Sequence, residues 1–214
     1  MAVMMVIAIL LSVAAVGIQS IDRGQATTTA LAITEALFDE TRSKAVGKGI
    51  RARLLIHKEL NDEDREDRSR YLRSMYLAVE STNQAGDAQG GGWVIEERSI
   101  KALPTGVYFS IEESERVAAA IGVGKPGTMS IRLSRKSDSP LKECYYFEFN
   151  PEGVCVDSEN AALDPGAVVV LISGVRPRGE EEPTLLKNNK VGFVVWRNGR
   201  TSIFRSPEQI DRAQ

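Results

Sequence analysis

The sequence predicts an α+β protein: a long N-terminal hydrophobic α-helix packed on an antiparallel β-rich globular domain. Three observations carry this. Residues 1–21 contain no Asp, Glu, Lys or Arg, in a chain of 214 residues that is 26% charged. From Ala26 onward apolar residues recur at helical spacing, and no proline intervenes before Pro104. After Gly49 the chain breaks into short β-branched and aromatic runs separated by Pro, Gly, Ser and Asp, without the strand–helix alternation of a parallel sheet.

The opening stretch, MAVMMVIAILLSVAAVGIQSI, supplies the roughly 20 apolar residues that a transmembrane helix needs. A cleaved signal peptide would need a basic n-region, which is absent, although Ala15-Val16-Gly17 loosely fits a cleavage site. A buried core helix is disfavoured because the segment is apolar all round. Beyond Asp22 the pattern becomes amphipathic: Ala26, Ala30, Ile33 and Leu37 step by four, three and four, and Phe38, Thr41 and Ala45 extend that face. The first terminators are Gly47 and Gly49, so one helix is expected from about residue 1 to about 47, roughly 70 Å long at 1.5 Å per residue. Two regions follow: 1–48, divided into an apolar half (1–21) and an amphipathic half (22–48), and a β-rich domain, 49–214. Ala30, Ile33, Leu37 and Phe38 are the candidate contacts between helix and domain.

In the second region, 50–56 reads as a strand, 59–67 as an acidic loop, and 71–79 as a strand by its aromatic and β-branched content, with a short helix as the other reading. Residues 81–92, STNQAGDAQGGG, read as a loop. Further strands are expected at 93–97, 106–111, 129–133, 144–149, 154–157, 167–173, 191–196 and 201–205. The segments 59–70, 81–92 and 176–190 are expected as variable loops. Asn150-Pro151-Glu152-Gly153 suits a type I turn, which would pair Phe149 with Val154 and Phe147 with Val156. Tyr145, Phe147, Phe149, Val154 and Val156 then share a core face, with Cys144 and Cys155 on the other. Two cysteines in an exported chain suggest a bridge, and Cys144–Cys155 is the candidate disulfide. In this register, however, they lie roughly 13 Å apart, beyond the limit of about 7 Å. A longer loop or a bulge would be needed.

The net charge is −2, and residues 1–48 sum to zero, so no field of one sign points to a polyanion. With one His and two Cys, the chain offers little for metal sites or nucleophilic catalysis. Asp62, Asp64 and Glu66 alternate like a calcium loop but lack its mid-loop Gly and terminal Glu, which leaves a solvated acidic loop. His57 has no neighbouring nucleophile in the sequence and reads as an incidental strand-end residue. Gly90-Gly91-Gly92 lacks a following Lys-Ser/Thr, and Pro126 spoils the 122–127 glycine run as a phosphate loop. No enzyme, cofactor or metal is expected. Arg197, Arg200 and Arg205, interleaved with Trp196 and Phe204, form a modest candidate DNA contact, diluted by Glu208 and Asp211; Asn198-Gly199 is first of all a hairpin signal.

Several segments match a known pattern in order. They are Val6–Gly17; Ala36–Val46, with Arg42 and a following Ala45; Trp93 and then Leu103-Pro104-Thr105-Gly106-Val107; Phe147-Glu148-Phe149-Asn150-Pro151-Glu152-Gly153; and Asn198-Gly199-Arg200. Together they resemble a type IV pilin-like protein, most nearly the H-type minor pseudopilins of type II secretion systems and related pilus proteins. The resemblance implies a structural subunit held in the inner membrane by a transmembrane helix. The subunit then moves into a periplasmic or cell-surface filament, with other copies or related pilin subunits as partners, and serves protein transport, adhesion or uptake. Val6, Ile9, Leu10, Val13, Val16 and Gly17 would be the filament-core and membrane positions. The alternative is a membrane-anchored or pilus-tip minor pilin that binds DNA through its C-terminal arginines. The chain departs from the family where a Glu is usual near the mature N-terminus: Ala2 stands there and Met5 offers no carboxylate. The basic leader ending in Gly is missing, and Gln19 replaces a frequent Pro. A minor or tip role tolerates the missing Glu better than a self-assembling one.

Overall fold

The computed structural model describes residues 2–60, 65–81, 92–134, 139–156, 166–176, 182–197 and 199–212, with residues 2–23, 65, 66, 97 and 187 described by their backbone alone. A first helix, α1 (Ala2–Lys48), leads into β1 (Ala52–His57), a short α2 (Arg65–Arg70), β2 (Ser74–Glu80) and β3 (Trp93–Ile95). Then come β4 (Lys101–Ala102), β5 (Val107–Phe109), α3 (Ile111–Ile121), β6 (Gly127–Arg132), β7 (Leu141–Phe149) and β8 (Cys155–Val156). The chain closes with β9 (Gly166–Val175), β10 (Thr184–Trp196), β11 (Thr201–Phe204) and α4 (Pro207–Asp211).

The α+β expectation of a hydrophobic helix laid on one sheet is corrected. The chain is β-rich, with 42% of the described residues outside 2–23 in strands. The strands form two antiparallel sheets. One has seven strands, in the order β3-β2-β1-β7-β6, with β4 on β2 and β8 on β7; the other has four, in the order β11-β10-β9-β5. Among the residues described with their side chains, which for α1 are 24–48, no helix is long and apolar enough to cross a membrane. The reason lies in the make-up of α1 over 24–48, where Gln25, Thr28, Thr29, Asp39 and Ser43 are exposed. Only one stripe of this segment is buried, and that stripe sits between the sheets as part of their core.

The sheets share that core. Leu54, Ile56, Met75, Leu77, Phe147 and Phe149 of the large sheet and Val107, Phe109, Val169, Leu171, Phe193 and Val195 of the small one close around α1. Each sheet also covers a second face. On the small sheet, Val168, Val170, Ile172 and Val194 pack under Val117 and Ala118 of α3 and Ile210 of α4. On the large sheet, Leu55, Tyr76, Ala78, Trp93, Ile95, Ile131, Cys144 and Tyr146 form a separate cluster.

Every β-type run in the sequence contains a strand, with three local corrections. The segment 71–79 does not start as a strand: α2 is followed by a turn in which Leu72 adopts φ 51°, a left-handed conformation costly for a residue with a Cβ, and β2 begins at Ser74. Residues 184–190, expected in a loop, belong to β10, which carries an irregularity between Leu185 and Lys190. The hairpin closes one residue later than drawn. Gly153 N–H donates to Asn150 O at 2.9 Å, as a type I turn requires, but Gly153 itself is left-handed (φ 77°) and the loop has three residues. Phe149 therefore pairs with Cys155 and Glu148 with Val156. The slip moves Cys155 onto the phenylalanine face, because side chains alternate with a period of two. Cys144 stays on the opposite face, so the candidate disulfide is not formed and both thiols are free and buried.

α3 was not anticipated. Ser110 caps it by accepting from Glu113 N–H at 3.4 Å, and Gly122 ends it in the left-handed conformation (φ 68°).

Candidate functional site

The buried stripe of α1 consists of Thr27, Ala30, Leu31, Thr34, Leu37, Phe38, Thr41 and Ala45. The spacing of three and four keeps them on one face. Ala30 and Ala45 let the helix backbone approach the strands closely. The three threonines are buried without loss, because each hydroxyl donates to a carbonyl of the helix itself: Thr27 to Gly24 O at 3.0 Å, Thr34 to Ala30 O at 2.8 Å and Thr41 to Leu37 O at 2.6 Å. Phe38 reaches both sheets. Its ring lies 5.1 Å from Phe147 and 6.0 Å from Phe149 on the large sheet, and 5.1 Å from Phe193 on the small one, edge-on to the last two. Such tilted and edge-to-face pairs suit the ring quadrupole.

Polar ties flank the stripe. Thr201 donates to Glu35 Oε1 at 2.8 Å, and Ser99 donates to Glu40. Lys48 pairs with Glu96 at 2.6 Å, with Lys44 at 3.9 Å from the same oxygen. Arg42 is gripped between two hairpin tips. Its Nε donates to Gly153 O at 3.0 Å. A Cβ on Gly153 would sit 2.7 Å from Val46 Cγ2, and one on Gly199 (φ 74°) would collide with the Arg42 guanidinium. Arg42, Gly153 and Gly199 come from three of the sequence segments on which the resemblance rests, and the fold brings them to one point.

Of the sequence-predicted contacts, Ala30, Leu37 and Phe38 are buried in the shared core and Ile33 packs at its margin. Thr27, Leu31 and Thr34 were missed. The signal was a step of seven, seen in Thr27-Thr34-Thr41 and in Leu31-Phe38-Ala45. Val6, Ile9, Leu10, Val13, Val16 and Gly17 fall in the part of α1 described by backbone only, and their side chains lie outside the described residues. The candidate calcium positions Asp62 and Asp64, and the side chain of Glu66, also lie outside them.

Arg197, Arg200 and Arg205 are all exposed. Arg197 and Arg200 flank the β10–β11 turn, whereas Arg205 follows the far end of β11, roughly 17 Å further along at ~3.4 Å per residue. They do not form one patch. Trp196 is 39% exposed, and its Nε1 donates to Ser202 Oγ at 2.7 Å.

Two charged groupings lie outside the helix seam. On the outer face of the large sheet, the Arg53 guanidinium is 4.0 Å from the ring centroids of both Trp93 and Tyr146, and its Nε donates to Glu148 Oε2 at 2.6 Å. Arg51 bonds Glu80 at 2.6 Å, which holds the Glu80 carboxyl below its ordinary pKa and raises that of Arg51. At the end of β1, His57 is fully buried beside Asp67. It ends the strand, as its sequence position suggested, but inside the protein. Burial pushes the Cys144 and Cys155 thiols up to about 12, so neither is a nucleophile at neutral pH. Among the described residues, no group of three or more His, Cys, Asp or Glu is placed to hold a metal ion.

Comparison of the chain with protein families, with curated proteins and with solved structures gives no match.

Proposed function

We propose that this chain is a structural subunit of a type IV pilus-like or pseudopilus filament, and that it assembles with other copies or related subunits through the N-terminal part of α1. The observation that carries this reading is the division of one helix. Over 24–48, α1 buries a single stripe and is tied on both flanks to the two sheets, so that half is fully engaged by its own body. The same helix continues N-terminally to Ala2, through a sequence with no charged side chain as far as Ile21. An uncharged helical extension of a folded body calls for a partner, since roughly 25 cal/mol is lost for every Å² of apolar surface left in water. Ala8, Ala14, Ala15 and Gly17 suit close helix–helix approach.

The test is electron microscopy of the intact protein from its native source, beside a chain starting at Asp22. The expected result is filaments, or incorporation into another subunit's fibre, for the intact chain and neither for the truncated one. Assembly that survives the truncation sinks the reading.

A further inference from the structure

We propose that His57 and the segment packed on it form an acid-sensitive latch: proton uptake at His57 releases α2 and the turn that follows, and with them a hydrogen-bonded tie between the two sheets. The inference does not depend on the filament reading.

His57 is the only histidine in the chain and ends β1. Its side chain is wholly buried, and neither Nδ1 nor Nε2 has a hydrogen-bond partner. Nε2 lies 3.5 Å from Asp67 Oδ1, short of a hydrogen bond. A buried imidazole with neither nitrogen partnered is uncommon, and its surroundings are charged. α2 contributes Asp67 and Arg70, the chain after β1 contributes Glu59, and β7 contributes Lys142 and Cys144, the latter directly opposite His57 in the sheet. Lys142 already occupies the carboxylates, bonding Asp67 and lying 3.3 Å from Glu59 Oε1. A proton on His57 would place a second cation beside Lys142 in competition for one buried carboxylate. The Cys144 thiol, neutral at these pH values, offers no counter-charge.

The geometry therefore favours the neutral ring. Burial is the largest influence and holds the His57 pKa below its ordinary value of 6.5, although Asp67 and Glu59 pull the other way. In an opened state, water restores the ordinary value. Opening then takes up a proton. The closed form is unaffected by pH above about 6.5, and it loses ground by up to tenfold per pH unit as pH falls from there to the buried value.

The released piece follows from the hydrogen bonds. Tyr71 N–H donates to Asp67 O at 2.9 Å, and Leu72 N–H donates to His57 O at 2.8 Å. Leu72 O in turn accepts from Phe109 N–H of β5 at 2.8 Å, which ties the large sheet to the small one. Leu72 holds its left-handed backbone only while these neighbours fix it, so release also relaxes that residue.

The test uses the full chain. The single His Cε1–H resonance is titrated by NMR from about pH 7.5 to about 5, and hydrogen-exchange protection is followed over the same range. The expected midpoint lies below 6.5. Protection at Leu72 and Phe109 should fall by up to tenfold per unit below 6.5, while Val169 and Phe193 keep theirs. His57→Gln should make the Leu72 profile flat. A midpoint at or above 6.5 overturns the latch. So does a flat wild-type profile at Leu72, a parallel loss at Phe193, or a pH dependence that persists in His57→Gln. If that variant does not fold, the wild-type titration and exchange decide alone.

Discussion

The two sheets solve the same problem differently. Each turns one face to α1 and must keep water from the other. The small sheet uses helices: α3 and α4 lie over Val168, Val170, Ile172 and Val194, and Lys190 pins both helices by pairing with Glu113 at 3.0 Å and Asp211 at 2.5 Å. Those bonds outweigh burial and raise the Lys190 pKa. The large sheet uses its own long side chains. Arg53 stacks between Trp93 and Tyr146 and is anchored by Glu148, which is 2% exposed. A helical cover works by apolar area, which salt barely alters. A lattice of guanidinium, rings and carboxylate works by electrostatics inside a low-dielectric layer, where each removed partner leaves another unsatisfied. Loss from the first scales with the area removed; loss from the second depends on which partner is left behind.

The sharpest way to break this contrast is to remove what the sheets have in common. Phe38→Ala should lower stability by about 4 kcal/mol, near the middle of the range for buried phenylalanine. The two tryptophans report on it separately, Trp93 from the large sheet and Trp196 from the small one. Their denaturation midpoints should shift together; separate midpoints would mean two independent bodies. Ile210→Ala, which removes part of the helical cover, should cost about 3 kcal/mol by urea denaturation, with the same cost at low and high salt. Arg53→Met should cost about 2 kcal/mol, less than a fully orphaned carboxylate, because Arg51 still reaches Glu148 at 3.5 Å. Adding Glu148→Gln should recover at least half of that loss, which is the signature of paired dependence. Ser110→Ala should cost about 1 kcal/mol and fray only the start of α3, seen as faster amide exchange there. The smallest effect is a pH slope. Arg51 depresses the Glu80 pKa, so its contribution is present above the ordinary carboxyl range and fades as pH falls through the lowered value. Glu80→Gln should remove that part of the acid limb of a stability–pH curve.

The strands and the extent of α1 were legible because their signals are local: β-branched runs between turn residues, and a helical period without a proline. The fold class was not. Whether strands make one sheet or two depends on long-range pairing, and nothing in 107–109 or 191–196 alone says that they leave the sheet of 52–57. α3 carried a readable signature in Ser110-Ile111-Glu112-Glu113, the residue pattern of a capping box of which the Ser110 half is formed, with Gly122 as its stop. That signature overlaps a glycine run, 122–127, that also resembles a phosphate loop. The hairpin shows how little separates right from wrong. The turn residues were identified correctly, yet one extra loop residue reversed the faces of Cys155 and Val156 and with them the disulfide argument. The sequence places His57 at a strand end, where it lies, but is silent on its burial. Its charged neighbours include Lys142 and, on α2, Asp67 and Arg70, and no local pattern reports them.

The seating of α1 has a mechanical consequence. Phe38 touches both sheets, Arg42 is held by two hairpin tips, Glu35 is tied to the small sheet, and Lys48 is tied to Glu96 just past β3 of the large one. A pull along the helix axis would therefore load both sheets in shear at the same moment rather than peel one strand after another. Bonds strained in parallel must yield together. Under tension the body's lifetime would be set by a single concerted unfolding rate rather than by its weakest edge.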